Sequence, residues 1–278
     1  MHRVSLALVF SLLVNGRGVA GQPPPSFAGR WYVWNFTQGD VYAPGRVLFA
    51  SLRNPNVGLP VWDVASEEVI GLIAETAKAD PLLQQPEGPL RYWLFLNEPD
   101  LVGQGDWRDD AWMAGYWYAR AYHAVKDNDP YNKARVGGPN LFDIRGEHIW
   151  LADFMRALAW FDAKLDVYAL HDWWGRYEDY FVDPSIQTWR GVDEHIAWAR
   201  SVGIITDDMH IWITETGTLH AWDQAESLQA FWALMRWEGR DQIDEMFWFH
   251  CPGWPSGGLL WDKAGQVTAV GRLWFSYQ

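Results

Sequence analysis

Three features of the 278-residue sequence predict an α/β fold whose strands curl into a (β/α)8, TIM-type barrel. Apolar strand-like runs alternate with amphipathic stretches of about 14 to 18 residues, the pattern of right-handed β-α-β crossovers on a parallel sheet. Two of the runs, within Arg91 to Asp100 and His210 to Gly217, reach a glutamate at their ends, Glu98 and Glu215, and a carboxylate at the C-terminal lip of a barrel strand is where such folds keep their chemistry. The length suits one domain, since barrels of this kind run near 250 residues.

The first 21 residues are set apart. Met1-His2-Arg3 precedes the apolar run Val4 to Val14, and Gly18-Val19-Ala20 supplies small residues for cleavage, so 1–21 is expected to be a signal peptide. The other reading of Val4 to Val14 is an altered first strand. The consecutive prolines of Gln22 to Ser26 make 22–29 an extended linker. The domain is expected over 30–278.

Within it, Trp31 to Phe36 and Arg46 to Leu52 read as strands divided by Gly and Pro. Ser66 caps a helix whose acidic first turn suits the helix dipole, with Val69, Leu72, Ile73 and Ala77 on one face, Ile70 at its margin, and an end near Asp80-Pro81. Strand Arg91 to Leu96 is stopped by Pro99. Helix Asp109 to Asp127 then leads to strand Ala134 to Asn140, and helix Glu147 to Asp162 to strand Leu165 to His171. Helix Ile186 to Val202 precedes the Glu215 strand, and helix Ala225 to Arg240 precedes strand Asp244 to His250. Five strands from Arg91 onward and two before it are one short of eight. The remaining strand is expected in the N-terminal run or in Asn54 to Val64, or is absent, which makes the N-terminal side irregular.

Twenty-two basic against 35 acidic residues, net −13, argue against nucleic acid, whose phosphates are bound by Lys and Arg. A neutral partner fits better. The 21 tryptophans fit carbohydrate, because indole faces stack on the C–H faces of sugar rings, although aromatics also fill cores. Cys251 is the only cysteine, so no intrachain disulfide forms, and nothing near it in sequence activates a thiol. Beyond the signal no run approaches about 18 apolar residues, so no membrane span is expected. His171, His220 and His250 match no zinc spacing, and no metal or cofactor is expected.

Asn97-Glu98-Pro99 closing one strand and Thr214-Glu215 closing another three β-α units later resemble the clan A glycoside hydrolases, retaining enzymes on (β/α)8 barrels. Tyr32-Val33-Trp34-Asn35-Phe36, Ala169-Leu170-His171 with Trp173 and Trp174, and Trp212-Ile213-Thr214-Glu215 are similar to a compact branch with endo-β-1,3-glucanases and related catalytic cores. The resemblance covers roughly 31–250 and makes the Trp31 strand the second and the Arg46 strand the third. The sequence departs from the branch at Asp172 and between Leu52 and Ser66.

The resemblance implies Glu215 as nucleophile and Glu98 as acid and then base, with no cofactor. Asn97 is implied to bind the sugar 2-hydroxyl. His171 either orients Glu215, contacts the sugar or is a satisfied core histidine. Trp248 is either a floor under the cleaved sugar or packing. Trp173, Trp174, Trp34 and Asn35 are candidates for flanking subsites. The expected function is a secreted or periplasmic glycosidase on a neutral glycan, the alternatives being a catalytically silent carbohydrate-binding barrel and, for location, the cytoplasm.

Overall fold

The computed structural model describes residues 30–34, 47–51, 60–62, 64–101, 107–142, 144, 148–172, 189–218, 223–250, 260 and 266–276. The expected signal and linker lie outside these. Eight strands follow one another around a closed ring in chain order: β1 (Arg30–Trp34), β2 (Val47–Ser51), β3 (Pro60–Trp62), β4 (Arg91–Phe95), β5 (Ala134–Leu141), β6 (Val167–His171), β7 (His210–Thr216) and β8 (Glu245–His250). The helices are α1 (Glu67–Ala79), α2 (Ala111–Lys126), α3 (His148–Trp160), α4 (Trp189–Ser201), α5 (Gln224–Arg236) and α6 (Ala269–Ser276).

From β4 to β8 the architecture is the expected one, a parallel run with a helix between each pair of strands. The N-terminal side departs from a regular (β/α)8 plan. β2 pairs antiparallel with both β1 and β3, while β1 joins β8 and β3 joins β4 in parallel, so β2 runs against all the others. Antiparallel neighbours need no helical crossover, and the links at 35–46 and 52–59 are correspondingly short. The missing strand is β3, inside Asn54 to Val64. The Trp31 and Arg46 strands are therefore first and second in the ring, which corrects the expected second and third.

Side chains of the ring alternate between two layers. Tyr92 of β4 meets Trp212 of β7 at 4.7 Å between ring centroids, and Trp212 meets Phe247 of β8 at 5.7 Å. Since β4 and β7 are not neighbours, the first contact runs through the barrel interior. The intervening positions face the helices, as Phe95 does against Tyr118 of α2 and Trp248 against Trp274 of α6. Tyr168 likewise points at α4, its hydroxyl 2.6 Å from His195 Nε2. Burial and then nearby Asp100 hold that phenol well above its ordinary pKa, so it stays protonated and serves as packing.

Three local expectations are corrected. In α1 the buried face is Ile70, Ile73 and Ala77, while Leu72 is exposed. At 100° per residue Leu72 lies about 160° from Ile70 around the axis, and the face is set by contact with the ring rather than by counting apolar residues. Ser66 caps the helix as expected, accepting from Val69 N at 3.3 Å. The helix expected to reach Arg240 ends at Arg236: Trp237 turns extended at ψ 118 and its indole donates to Asp193 of α4 at 2.8 Å, after which Glu238–Gln242 forms a separate 3-10 turn. α6 was not anticipated. Its start is marked only by Thr268, whose hydroxyl accepts from Gly271 N at 3.1 Å.

The corrected face of α1 can be checked by denaturation. Ile73→Ala is expected to cost about 2 to 5 kcal/mol, and Leu72→Ala to stay within roughly 0.5 kcal/mol of the parent. Equal losses would contradict the assignment.

Candidate active site

Regular pleating sends consecutive side chains to opposite faces, yet Thr214 and Glu215 both find partners at the barrel mouth. A register shift explains it. Between β6 and β7, Leu170 pairs with Ile213 and His171 with Glu215, which leaves Thr214 as an extra residue. β5 carries the same irregularity one strand away: Pro139 pairs with Ala169 and Leu141 with Leu170, leaving Asn140 over. Such bulges re-aim side chains at the ends of barrel strands. Asn140 has a φ of 57°, a conformation that asparagine tolerates better than most residues.

The two extra residues bond to each other. Thr214 Oγ1 donates to Asn140 Oδ1 at 2.7 Å, with the Leu170 carbonyl at 3.2 Å. Both side chains are fully buried. Asn140 Nδ2 in turn donates to the Leu96 carbonyl at 2.6 Å, and the Asn140 carbonyl accepts from Glu98 N at 3.0 Å. Asp100 Oδ1 adds a further tie, accepting from Phe142 N at 2.8 Å. These bonds pin the turn after β4, where Leu96 and Glu98 sit at φ 65° and 46°. Positive φ in residues such as these costs of order 1 to 3 kcal/mol each and persists only where neighbours hold it.

The result is a tight trio. His171 Nδ1 lies 2.9 Å from Glu98 Oε1 and 3.4 Å from Glu215 Oε2. One oxygen of each glutamate and this nitrogen all fall within 4.8 Å of one another, and all three residues are buried. A carboxylate that is ionised only accepts, so Nδ1 can bond to it only as a donor. His171 follows Ala169 by two positions, which keeps it on the interior face of β6. The backbone of Asp172 fastens β6 to β7 beyond the bulge, its N–H donating to the Glu215 carbonyl at 3.0 Å. Two carboxylates bridged by an imidazole can divide the tasks of attack and proton transfer. With the ring nitrogen deprotonated, Glu98, His171 and Glu215 are also spaced so that they could hold a cation.

Glu98, Glu215 and His171 are thus brought together, His171 in contact with both carboxylates. Asn97 adjoins them, and its Oδ1 is buried with no hydrogen-bond partner among the described residues. Trp248, for which a sugar floor and packing were both open, is fully buried with its ring 5.2 Å from that of Trp274 in α6. Of Trp34 only the backbone, in β1, is described. Asn35, Trp173 and Trp174 lie outside the described residues. Sequence reasoning missed Asn140 and Thr214 as parts of the site, although Thr214 adjoins a glutamate and Asn140 ends a strand, the one signal available.

A family model described as glycosyl hydrolase catalytic core matches residues 61–274. No curated protein sequence matches. Among solved structures, a GH128 (subgroup II) endo-beta-1,3-glucanase from Sorangium cellulosum superposes with a TM-score of 0.53 at 18% identity, covering 79% of this chain and 80% of that one. The GH39 enzyme from Xanthomonas axonopodis pv. citri gives 0.51 at 16%, covering 76% of this chain and 44% of that one. A glucosidase from Croceicoccus marinus gives 0.51 at 20%, covering 67% and 40%. The chain spans less than half the length of several of these larger relatives. At such identities the likeness speaks for the fold alone.

Removing the imidazole would leave two buried carboxylates facing each other. His171→Ala is expected to lose about 1 to 3 kcal/mol in urea denaturation. Unchanged stability would show that the carboxylates do not depend on that donor.

Proposed function

The chain belongs to the glycosyl hydrolase catalytic core family, and on that premise we propose that it hydrolyses a β-glycosidic bond in a neutral oligo- or polysaccharide with retention of configuration. The observation that carries the reading is the approach of Glu98 and Glu215 to within 4.8 Å between carboxylate oxygens. Retaining enzymes hold their carboxyl groups about 5 to 5.5 Å apart, whereas inverting enzymes leave about 6.5 to 9.5 Å for a water.

Glu215 attacks the anomeric carbon while Glu98, protonated, gives its proton to the departing oxygen. The sugar is then held as an ester of Glu215. Glu98, now a carboxylate, takes a proton from water, and the resulting hydroxide equivalent displaces Glu215. His171 steadies whichever carboxylate is ionised at each stage. Asn97, whose Oδ1 has no partner among the described residues, accepts from the sugar 2-hydroxyl, a contact that strengthens as charge develops. Trp34, Asn35, Trp173 and Trp174 remain the proposed flanking subsites.

Against the alternative of a catalytically silent carbohydrate-binding barrel, motivated by a missing strand, weighs the inclusion of β3 in the ring. β-1,3-Glucan is the first polysaccharide to assay, given the fold shared with an endo-beta-1,3-glucanase. The N-terminal run is taken as an export signal, and on that reading the enzyme acts outside the cytoplasm. Among the described residues no helix is long and apolar enough to cross a membrane.

Glu98→Gln is expected to lower kcat by about 10²- to 10⁴-fold on substrates whose leaving group needs a proton. Glu215→Gln should abolish turnover, and azide should restore release of the leaving group from Glu215→Gly with formation of an α-glycosyl azide. Full activity in either glutamine variant would overturn the assignment.

A further inference from the structure

The double displacement requires the acid turn after β4 and the nucleophile strand β7 to keep a fixed separation, although β5 and β6 lie between them in the ring. We propose that the hydrogen bond between Asn140 and Thr214 is the spacer that sets this separation, making both positioning residues for the reaction inferred above.

Asn140 reaches in both directions at once. Its amide nitrogen donates to the Leu96 carbonyl and its own carbonyl accepts from Glu98 N, so the acid turn hangs on it at 2.6 and 3.0 Å. Its side-chain oxygen accepts at 2.7 Å from the residue immediately before Glu215. A displacement of Asn140 therefore moves the backbone beneath both carboxylates. The chemistry of asparagine is needed for this arrangement: one planar group supplies a donor on one side and an acceptor on the other, and its backbone tolerates the positive φ of the bulge. Aspartate would lose the donor and set a carboxylate against the Leu96 carbonyl. Both side chains are fully buried, so water cannot replace either bond without opening the barrel wall.

Two measurements test the proposal, on the full-length chain. Crystal structures of Thr214→Val and Asn140→Ala should show the Glu98 and Glu215 carboxylates displaced relative to each other by roughly 0.5 Å or more, the tolerance beyond which catalytic groups lose their productive geometry. On β-1,3-glucan, or on whichever aryl β-glycoside the parent hydrolyses, both variants should lose about 10- to 100-fold in kcat with KM held within a few-fold. The double variant should lose little more than Asn140→Ala alone, because the bond between the two side chains is already gone in that variant. Thr214→Ser, which keeps the hydroxyl, should recover most of the rate.

Carboxylates that superpose on those of the parent would overturn the proposal. So would a kcat loss in Thr214→Val that serine does not restore, since that pattern follows from general destabilisation. The structural comparison requires no turnover, so it decides the spacer role even where the parent shows no glycosidase activity, a result that would count against the reaction itself.

Discussion

The site depends on a hydrogen bond between two side chains that never touch solvent. Thr214 Oγ1 and Asn140 Oδ1 are 2.7 Å apart in the wall of the barrel, where an unpaired polar atom costs more than the bond itself contributes. Each residue is the extra one in its strand, and neither bulge leaves its side chain a partner on a regular ladder. Meeting across β6, they satisfy each other. The price is two bulges that shift three strand registers, and the consequence is that Glu215 lands beside His171 while the strand below stays paired to its neighbours.

The strained turn after β4 follows from the same link. Leu96 and Glu98 adopt positive φ values that isolated residues avoid, and the bonds from Asn140 and Asp100 hold them there. Strain of this sort fixes a carboxylate more narrowly than a relaxed loop would. The Glu98 turn and the Glu215 strand are thereby braced against a common support, and His171 joins the two carboxylates as Asn140 joins the backbone beneath them.

Much of this was legible in the sequence. The ends of β4, β6 and β7 stand out because buried apolar runs halt on Glu98, His171 and Glu215, and the alternation from β4 to β8 is strong because buried strands and amphipathic helices differ in period. Less visible were features without a local signature. A bulge inserts one residue and changes nothing in composition, so Asn140 and Thr214 read as ordinary strand ends. β3 is three residues long and begins with proline, too short for periodicity. Leu72 was put on the wrong face because α1 carries apolar residues around more than half its circumference, and only the ring decides which are covered. The antiparallel course of β2 leaves no mark in the apolar pattern of the strands themselves.

The most direct test is to incubate the enzyme with a 2-deoxy-2-fluoro β-glycoside bearing a dinitrophenyl leaving group and to map the labelled peptide by mass spectrometry. The 2-fluoro substituent slows both steps, and the good leaving group lets the first proceed, so a double displacement accumulates its ester. The account predicts one sugar per chain, attached to Glu215. Release of dinitrophenol with no adduct, or an adduct on another residue, would contradict it.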